Sequence, residues 1–269
     1  MSDKLVLMAI FAHPDDEAFG TGGMLAKYAH EGVEVHLVTA TLGESGQLAN
    51  PDLALTEPLH ILREQELRCA CAQYGIVNLH LLGYMDGQTA VVRPSAAVYK
   101  LVKLMRQYRP QVIVTFGPEG IYGHFDHLVV HRWASAAFMV AADPERWPEA
   151  GEPHQVAKLY YRGLAQSQVD KMRETFGRDF VWMDGVPFPF MGYPDEQVTT
   201  KVDVREHVEA KLRGISCHAS QLDPNLPYLH EDFDPLADAG FWEETFILAE
   251  QHLLMPLNFP ETDLFAGLR

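Results

Sequence analysis

Two short stretches concentrate the residues that can do chemistry. Residues 11–17, "FAHPDDE", place His13, Asp15, Asp16 and Glu17 on a turn marked by Pro14, directly after the apolar run from Leu5 to Phe11. Residues 122–131, "YGHFDHLVVH", gather His124, Asp126, His127 and His131 behind Tyr122. A turn leaving a strand needs some polar residues. Three carboxylates beside an imidazole, however, repel or compete unless something positive lies among them. A divalent cation is the simplest such partner. His13 and Asp16, three apart across a proline, can aim a ring nitrogen and a carboxylate oxygen at one point. Zinc takes such ligands at about 2.0–2.2 Å, and catalytic zinc typically has three protein ligands and one open position. The third ligand must come from elsewhere, and His127 and His124 are the candidates. Metal ligands need acceptors behind them, which Asp15, Glu17 and Asp126 can provide. The chain has 13 histidines, and His30, His36, His60, His80, His154, His207 and His230 read as surface or capping residues.

Elements that could bring the two stretches together are legible in the hydrophobic pattern. Strands are expected at Lys4–Ala12, Val33–Ala40, Leu79–Leu82, Gln111–Phe116 and Ala157–Gly163. Helices are expected at Gly22–Glu31, Pro58–Tyr74, Ser95–Tyr108 (with Ser95 as N-cap) and His127–Ala142. Strand and helix in alternation mean βαβ units, hence an α/β, Rossmann-like, mostly parallel sheet with helices on both faces. Residues 166–269 are less regular: Val198–Val204 reads as a strand, Arg205–His218 as a helix, and the period of Trp242–Gln251 chooses neither. With no repeats and no linker, residues 1–269 read as a single domain, a regular βα core over 1–165 and an irregular C-terminal portion packed on it. In open α/β sheets, ligands sit at the carboxyl ends of strands where strand order reverses. One polar cluster follows the first strand and the other follows the fourth.

Composition bounds the partners. A formal net charge of -16 over 269 residues argues against nucleic acid or an anionic membrane surface, either of which calls for a basic face. No stretch has the apolar length of a membrane span, and the N-terminus does not read as a signal peptide. Cys69, Cys71 and Cys217 suggest no disulfide framework and read as inert thiols of a reducing compartment, so a cytoplasmic location is expected.

The motifs also carry a resemblance. "AHPDDE" after the first strand, "TLGESG" (41–46) after the second, "GYMDG" (83–87) after the third, "GPEGIYGHFDH" (117–127) after the fourth, and "HASQ" (218–221) together resemble the LmbE-like/PIG-L family of zinc-dependent N-deacetylases. That family includes the deacetylases of mycothiol and bacillithiol biosynthesis, and the resemblance covers nearly the whole chain. It implies His13, Asp16 and His127 as ligands of Zn2+, with Fe2+ or another divalent metal as alternatives. It implies Asp15 as the general base toward a metal-activated water, and His124 as the residue that stabilises the oxyanion or protonates the leaving amine. Asp126 would orient His124, Tyr122 would assist at the oxyanion, and Glu44, Arg63 and Asp86 would line a sugar pocket. Each of the last three also has a plain structural reading: Glu44 bonding its own turn, Asp86 capping at Gly87, Arg63 pairing with Glu66. His218 is placed either near the site or in a buried structural role. Phe125 departs from the proline common inside "HxDH". The implied substrate is a small N-acetylated sugar of the N-acetylglucosamine type.

Rival readings fit less well. "GTGGML" (20–25) and "GESGQL" (43–48) are superficially phosphate loops, but neither keeps G-x-G-x-x-G directly after a strand, and the acids of "HPDDE" would repel a pyrophosphate. No G-x-S-x-G elbow marks a serine hydrolase. A non-catalytic sugar- or metal-binding protein of the same fold would not need Asp15 beside three ligands. An amidase acting on a larger sugar-thiol conjugate could be built from the same site, with its pocket shaped by the loops of residues 140–200. Those loops could equally join copies of the chain as a homo-oligomer.

Overall fold

The structure, a computed structural model, describes residues 4–49, 55, 57–223, 226–230, 233–237 and 239–269. Its strands are β1 (Val6–Phe11), β2 (Glu34–Thr41), β3 (Asn78–Tyr84), β4 (Val112–Phe116), β5 (Lys158–Arg162), β6 (Leu164–Ala165), β7 (Phe180–Met183), β8 (Val186–Pro189), β9 (Gly192–Tyr193), β10 (Thr200–Asp203) and β11 (Glu243–Gln251). The helices that matter here are α1 (Asp16–His30), α2 (Leu59–Tyr74), α3 (Pro94–Tyr108), the four-residue turn α4 (Gly120–Gly123), α5 (Phe125–Val140), α6 (Gln166–Phe176) and α7 (Val208–Cys217).

Five strands run parallel in the order β3-β2-β1-β4-β5. β1, "VLMAIF", is wholly buried, which is why it reads as a continuous apolar run rather than an alternation. The sequence walks outward from β1 to β3, then returns to lay β4 on the other side of β1. Strand order therefore reverses between β1 and β4, and a crevice opens at their carboxyl ends. α1, α2 and α7 pack together, and α3 packs with α5. The expected α/β architecture is present.

Several boundaries differ from the pattern reading, each for a local reason. α1 starts at Asp16, six residues before Gly22, because Asp16 and Glu17 suit the positive end of a helix. Its glycines are there for close packing: a Cβ on Gly22 would lie 2.7 Å from the Tyr74 hydroxyl, and one on Gly23 would lie 2.5 Å from Val204 Cγ2. Ser95 is not the N-cap of α3. Arg93 holds that position and Pro94 takes the first helical place, where its missing N–H costs nothing. The undecided segment becomes β11, antiparallel to β5 and to β10, so the C-terminal portion extends the same sheet. His36 and His154 are buried rather than surface residues. His36 bridges His80 and Glu34, and His154 bonds the Pro110 carbonyl.

The cysteine reading is overturned. Cys69 on α2 and Cys217 at the end of α7 form a disulfide across 148 residues of sequence, because α2 and α7 lie side by side. Cys71, two positions on and turned to the core, stays a free thiol, pushed up to about 12 by burial. The cysteines therefore give no support to a reducing compartment. Among the described residues, no helix is long and apolar enough to cross a membrane.

Candidate active site

The reversal point brings both polar clusters together. "HPDDE" leaves β1 and "GHFDH" leaves the β4 side, and the rings of His13, His124 and His127 lie with centroids 4.7–5.3 Å apart. Two overlapping groups have ligand atoms within 4.8 Å of one another: His13, His124 and His127, and His13, Asp86 and Asp126.

His127 is the most informative. Gly120, at φ +63°, turns its carbonyl to accept the Nδ1 proton of His127 at 3.1 Å. Phe116 stacks on the ring at 4.0 Å. With its proton on Nδ1, His127 presents a bare Nε2, which is buried and has no hydrogen-bond partner. That nitrogen lies 3.1 Å from Asp16 Oδ1, so two acceptors face each other. Asp16 Oδ2 accepts the His13 N–H at 2.7 Å and lies 3.4 Å from His13 Nδ1. His13 in turn directs Nε2 at Asp126 Oδ2 (3.2 Å) and Asp86 Oδ1 (3.1 Å), so once the ring is neutral its proton stays on Nε2 and Nδ1 is the lone-pair side. Two nitrogen lone pairs and a carboxylate thus converge, and a cation reconciles them. These residues fit a divalent metal at His13, Asp16 and His127.

Electrostatics among these groups are strong. Burial would lower the proton affinity of His13, but bonds to Asp126, Asp16 and Asp86 raise it well above the ordinary value. Burial works against ionised Asp16, yet His127 and His13, when their rings carry charge, hold it well below the carboxylate range. Asp86 and Asp126 are likewise held down against burial, chiefly by His13. His124 is lowered to about 4 by burial and by the neighbouring His13 and His127, so it is neutral near pH 7. Tyr122, its ring 5.2 Å from that of His127, is raised well above its usual value by burial and by Asp16 and Asp15.

Asp15 stands apart. Its side chain is 21 % exposed, against 9 % or less for Asp16, His13, Asp86 and Asp126. Burial raises its pKa to about 6, with the Arg63 guanidinium opposing. Its backbone is left-handed at φ 109°, a conformation that costs a non-glycine residue on the order of 1–3 kcal/mol. Ile121, opening the other cluster at φ 68°, is a second such position.

One expectation is corrected. Asp126 does not orient His124 through its carboxylate. That group accepts from Gly87 N–H (2.8 Å), Thr89 Oγ1 (2.5 Å) and His13 Nε2, while His124 Nδ1 accepts the backbone N–H of Asp126 at 3.1 Å. The cause is local. His124 is the N-cap of α5, so its own ring closes the helix end, and Asp126 is left free to reach across. Phe125 fills the first helical position, where a proline would also fit, and is 68 % exposed.

The residues expected along a sugar pocket are mostly engaged in scaffolding. Arg63, buried at the first turns of α2, donates to Pro14 O (2.5 Å), Gly43 O (3.2 Å) and Asp15 Oδ2 (3.2 Å). It does not pair with Glu66, whose carboxylate takes the N–H and hydroxyl of Ser220, each at 2.7 Å. Asp86 braces His13 and holds the Ser45 N–H at 3.0 Å. Glu44, half-buried, accepts N–H groups of Asp86 (3.1 Å) and Leu42 (3.3 Å). Of the two Pro-rich loops, residues 185–196 reach the site: Met191 N–H bonds Ile121 O at 2.8 Å and Phe190 packs on Tyr122. Residues 141–153 lie away from it, wrapped around Arg106, whose guanidinium donates to five of their carbonyls.

Pattern reading missed Thr89, which no motif singles out, and the bond from the Gly87 N–H to Asp126. It also offered Glu17 only as an acceptor behind the metal ligands. Glu17 pairs with His218, Oε1 to Nε2 at 2.6 Å, and both are fully buried.

Residues 8–138 match the family model described as PIG-L: GlcNAc-PI de-N-acetylase. A 1D-myo-inositol 2-acetamido-2-deoxy-alpha-D-glucopyranoside deacetylase of Thermobispora bispora is 38 % identical over 258 residues, covering 85 % of this chain and 82 % of that protein. A mycothiol S-conjugate amidase of Streptomyces coelicolor is 32 % identical over 300 residues, covering 100 % of this chain and 99 % of that protein. Among solved structures, the N,N'-diacetylchitobiose deacetylase of Pyrococcus horikoshii superposes with a TM-score of 0.67 at 19 % identity, over 91 % of this chain and 84 % of that one, a likeness of fold.

Proposed function

The chain belongs to the PIG-L family of de-N-acetylases, and from that premise we propose that it hydrolyses the acetamide of an N-acetylglucosamine-type sugar or glycoconjugate, releasing acetate and the free amine. The observation that carries this reading is the bare, buried Nε2 of His127 facing Asp16 Oδ1 at 3.1 Å, with Asp15 the open carboxylate beside them. His13, Asp16 and His127 would hold a divalent metal, Zn2+ in the first instance, with Fe2+ the alternative. Such a metal polarises an amide carbonyl and lowers the pKa of water.

The remaining work falls to side chains. Asp15 takes the proton of the attacking water, and a carboxylate raised toward neutrality is suited to that exchange. Arg63 fixes its orientation through Oδ2. His124, neutral and with Nδ1 occupied by the Asp126 N–H, presents Nε2–H to the developing oxyanion or the departing nitrogen. Tyr122, kept protonated, can add a second donor. Asp126 and Asp86 hold His13 in the tautomer whose Nδ1 is bare. Glu44, half-buried, would meet a sugar hydroxyl, and Arg63 and Asp86 act mainly behind it.

Acetate release from a panel of N-acetylglucosaminides, with metal content measured on the same protein, tests the reading. Expected are a stoichiometric divalent metal, hydrolysis of at least one panel member, and loss of both in His13→Ala. A protein without metal, or activity surviving in His13→Ala, overturns it. The full-length match to an amidase of thiol-sugar conjugates favours a second reading, so the panel includes one such conjugate.

A further inference from the structure

We propose that the buried Glu17–His218 pair is the positioning device for Asp15, locking its left-handed backbone so that its carboxylate is kept for the crevice. This rests on the deacetylase reading, in which Asp15 is the base. Asp15 is the N-cap of α1, and an N-cap aspartate ordinarily turns its carboxylate back onto the first N–H groups of its own helix. Here it makes no such bond. Its carboxylate points instead to Arg63 Nη2. What holds the residue is the backbone: Asp15 N–H donates to Glu17 Oε2 at 3.0 Å, a reach of two residues that the φ of 109° makes available.

Glu17 is the only acid of "HPDDE" fully removed from solvent, at 1 % exposure. A carboxylate buried there needs a partner on its other oxygen, and His218 supplies it from 201 residues away, Nε2 to Oε1 at 2.6 Å. His218 Nδ1 is buried with no hydrogen-bond partner among the described residues, so the ring offers one polar contact, and that contact is to Glu17. His218 is itself anchored. It follows Cys217, which is disulfide-bonded to α2, and two residues on Ser220 is gripped by Glu66 of α2. α2 also carries Arg63. The segment whose His218 braces Glu17 and the helix whose Arg63 holds the Asp15 carboxylate are therefore tied to each other.

The test compares wild type, His218→Phe and His218→Gln. The glutamine can return a single N–H donor to Glu17, whereas phenylalanine keeps the bulk and removes the donor. In protein stripped with chelator, exchange of the Asp15 amide proton is followed by NMR. We expect it to quicken by at least about tenfold in His218→Phe while the amides of β1 are unmoved, and to return toward wild type in His218→Gln. In metal-loaded protein, kcat should fall roughly 10–100-fold with KM and metal content little changed. Wild-type protection of the Asp15 amide in His218→Phe overturns the proposal, as does loss of protection that spreads equally to β1. Should His218→Phe not fold, His218→Asn, too short to reach Glu17, takes its place under the same criteria. A wild-type protein that hydrolyses no acetamido sugar sinks the deacetylase reading alone, because the exchange measurement still decides what the pair holds.

Discussion

Asp126→Asn is expected to weaken metal binding rather than cripple turnover. In the structure the Asp126 carboxylate accepts from Gly87 N–H, Thr89 Oγ1 and His13 Nε2. An asparagine can rotate so that its oxygen takes Gly87 and His13 while its NH2 donates to the Thr89 hydroxyl oxygen, so the substitution removes the charge and the acceptor of the Thr89 proton. His13 keeps Asp86 at 3.1 Å as a second acceptor, which limits the damage. Losing an acceptor behind a metal-bound histidine typically costs 10–100-fold in affinity, about 1.4–2.7 kcal/mol. Asp126→Ala should do more. Gly87 is exposed and can turn to water, but the fully buried Thr89 hydroxyl loses its acceptor, at a cost of about 1–3 kcal/mol of stability. The assay is competition for Zn2+ against a chromophoric chelator, followed by kcat at saturating metal. A Kd raised 10–100-fold, with kcat restored to within several-fold by excess metal, is the expected result. An unchanged Kd with a collapsed kcat would refute the reasoning and return Asp126 to service of His124.

Three further outcomes are expected. Asp15→Asn should keep its metal, measured by elemental analysis, while turnover falls on the order of 10²–10⁴-fold; unchanged turnover removes Asp15 from the role of base. Because bonds to three carboxylates raise the proton affinity of His13, metal must displace a proton from it. Titration calorimetry in buffers of different ionisation enthalpy should then show release of about one proton near neutral pH, and affinity that weakens as pH falls. Finally, closing 148 residues with the Cys69–Cys217 disulfide corresponds to about 5 kcal/mol by chain entropy, of which 2–4 is usual, so Cys69→Ser should melt on the order of 10 °C lower. Thiol titration in denaturant should find one thiol, Cys71, before reduction and all three cysteines after it. Three before reduction would exclude the bridge.

Much of the site was legible because its residues come from two short windows. His13, Asp15 and Asp16 follow one strand, and Tyr122, His124, Asp126 and His127 follow another. The alternation of strands and helices already places the carboxyl ends of two parallel strands side by side. The misreadings share a different origin. Asp126 serves His13 rather than its neighbour His124 because an N-cap imidazole is satisfied by the backbone of its own helix, and periodicity does not reveal side-chain direction at a helix start. Asp86 and Arg63 were expected along a sugar pocket from the family resemblance, and only their bonds across the fold show that they hold His13 and Asp15.

What the amino-acid sequence determined by itself was local: the apolar run of β1, the turn at Pro14, the helix-period segments, and the residue types able to bind a cation. Tertiary structure decided which of those residues meet. The partnership of Glu17 with His218 spans 201 residues, that of Cys69 with Cys217 spans 148, and that of His13 with Asp126 spans 113. None of these is encoded in spacing along the chain. Each exists because the fold lays distant elements side by side, α2 against α7 for the disulfide, and a buried charge near the reversal between β1 and β4 must find its counterpart in whatever element lies against it.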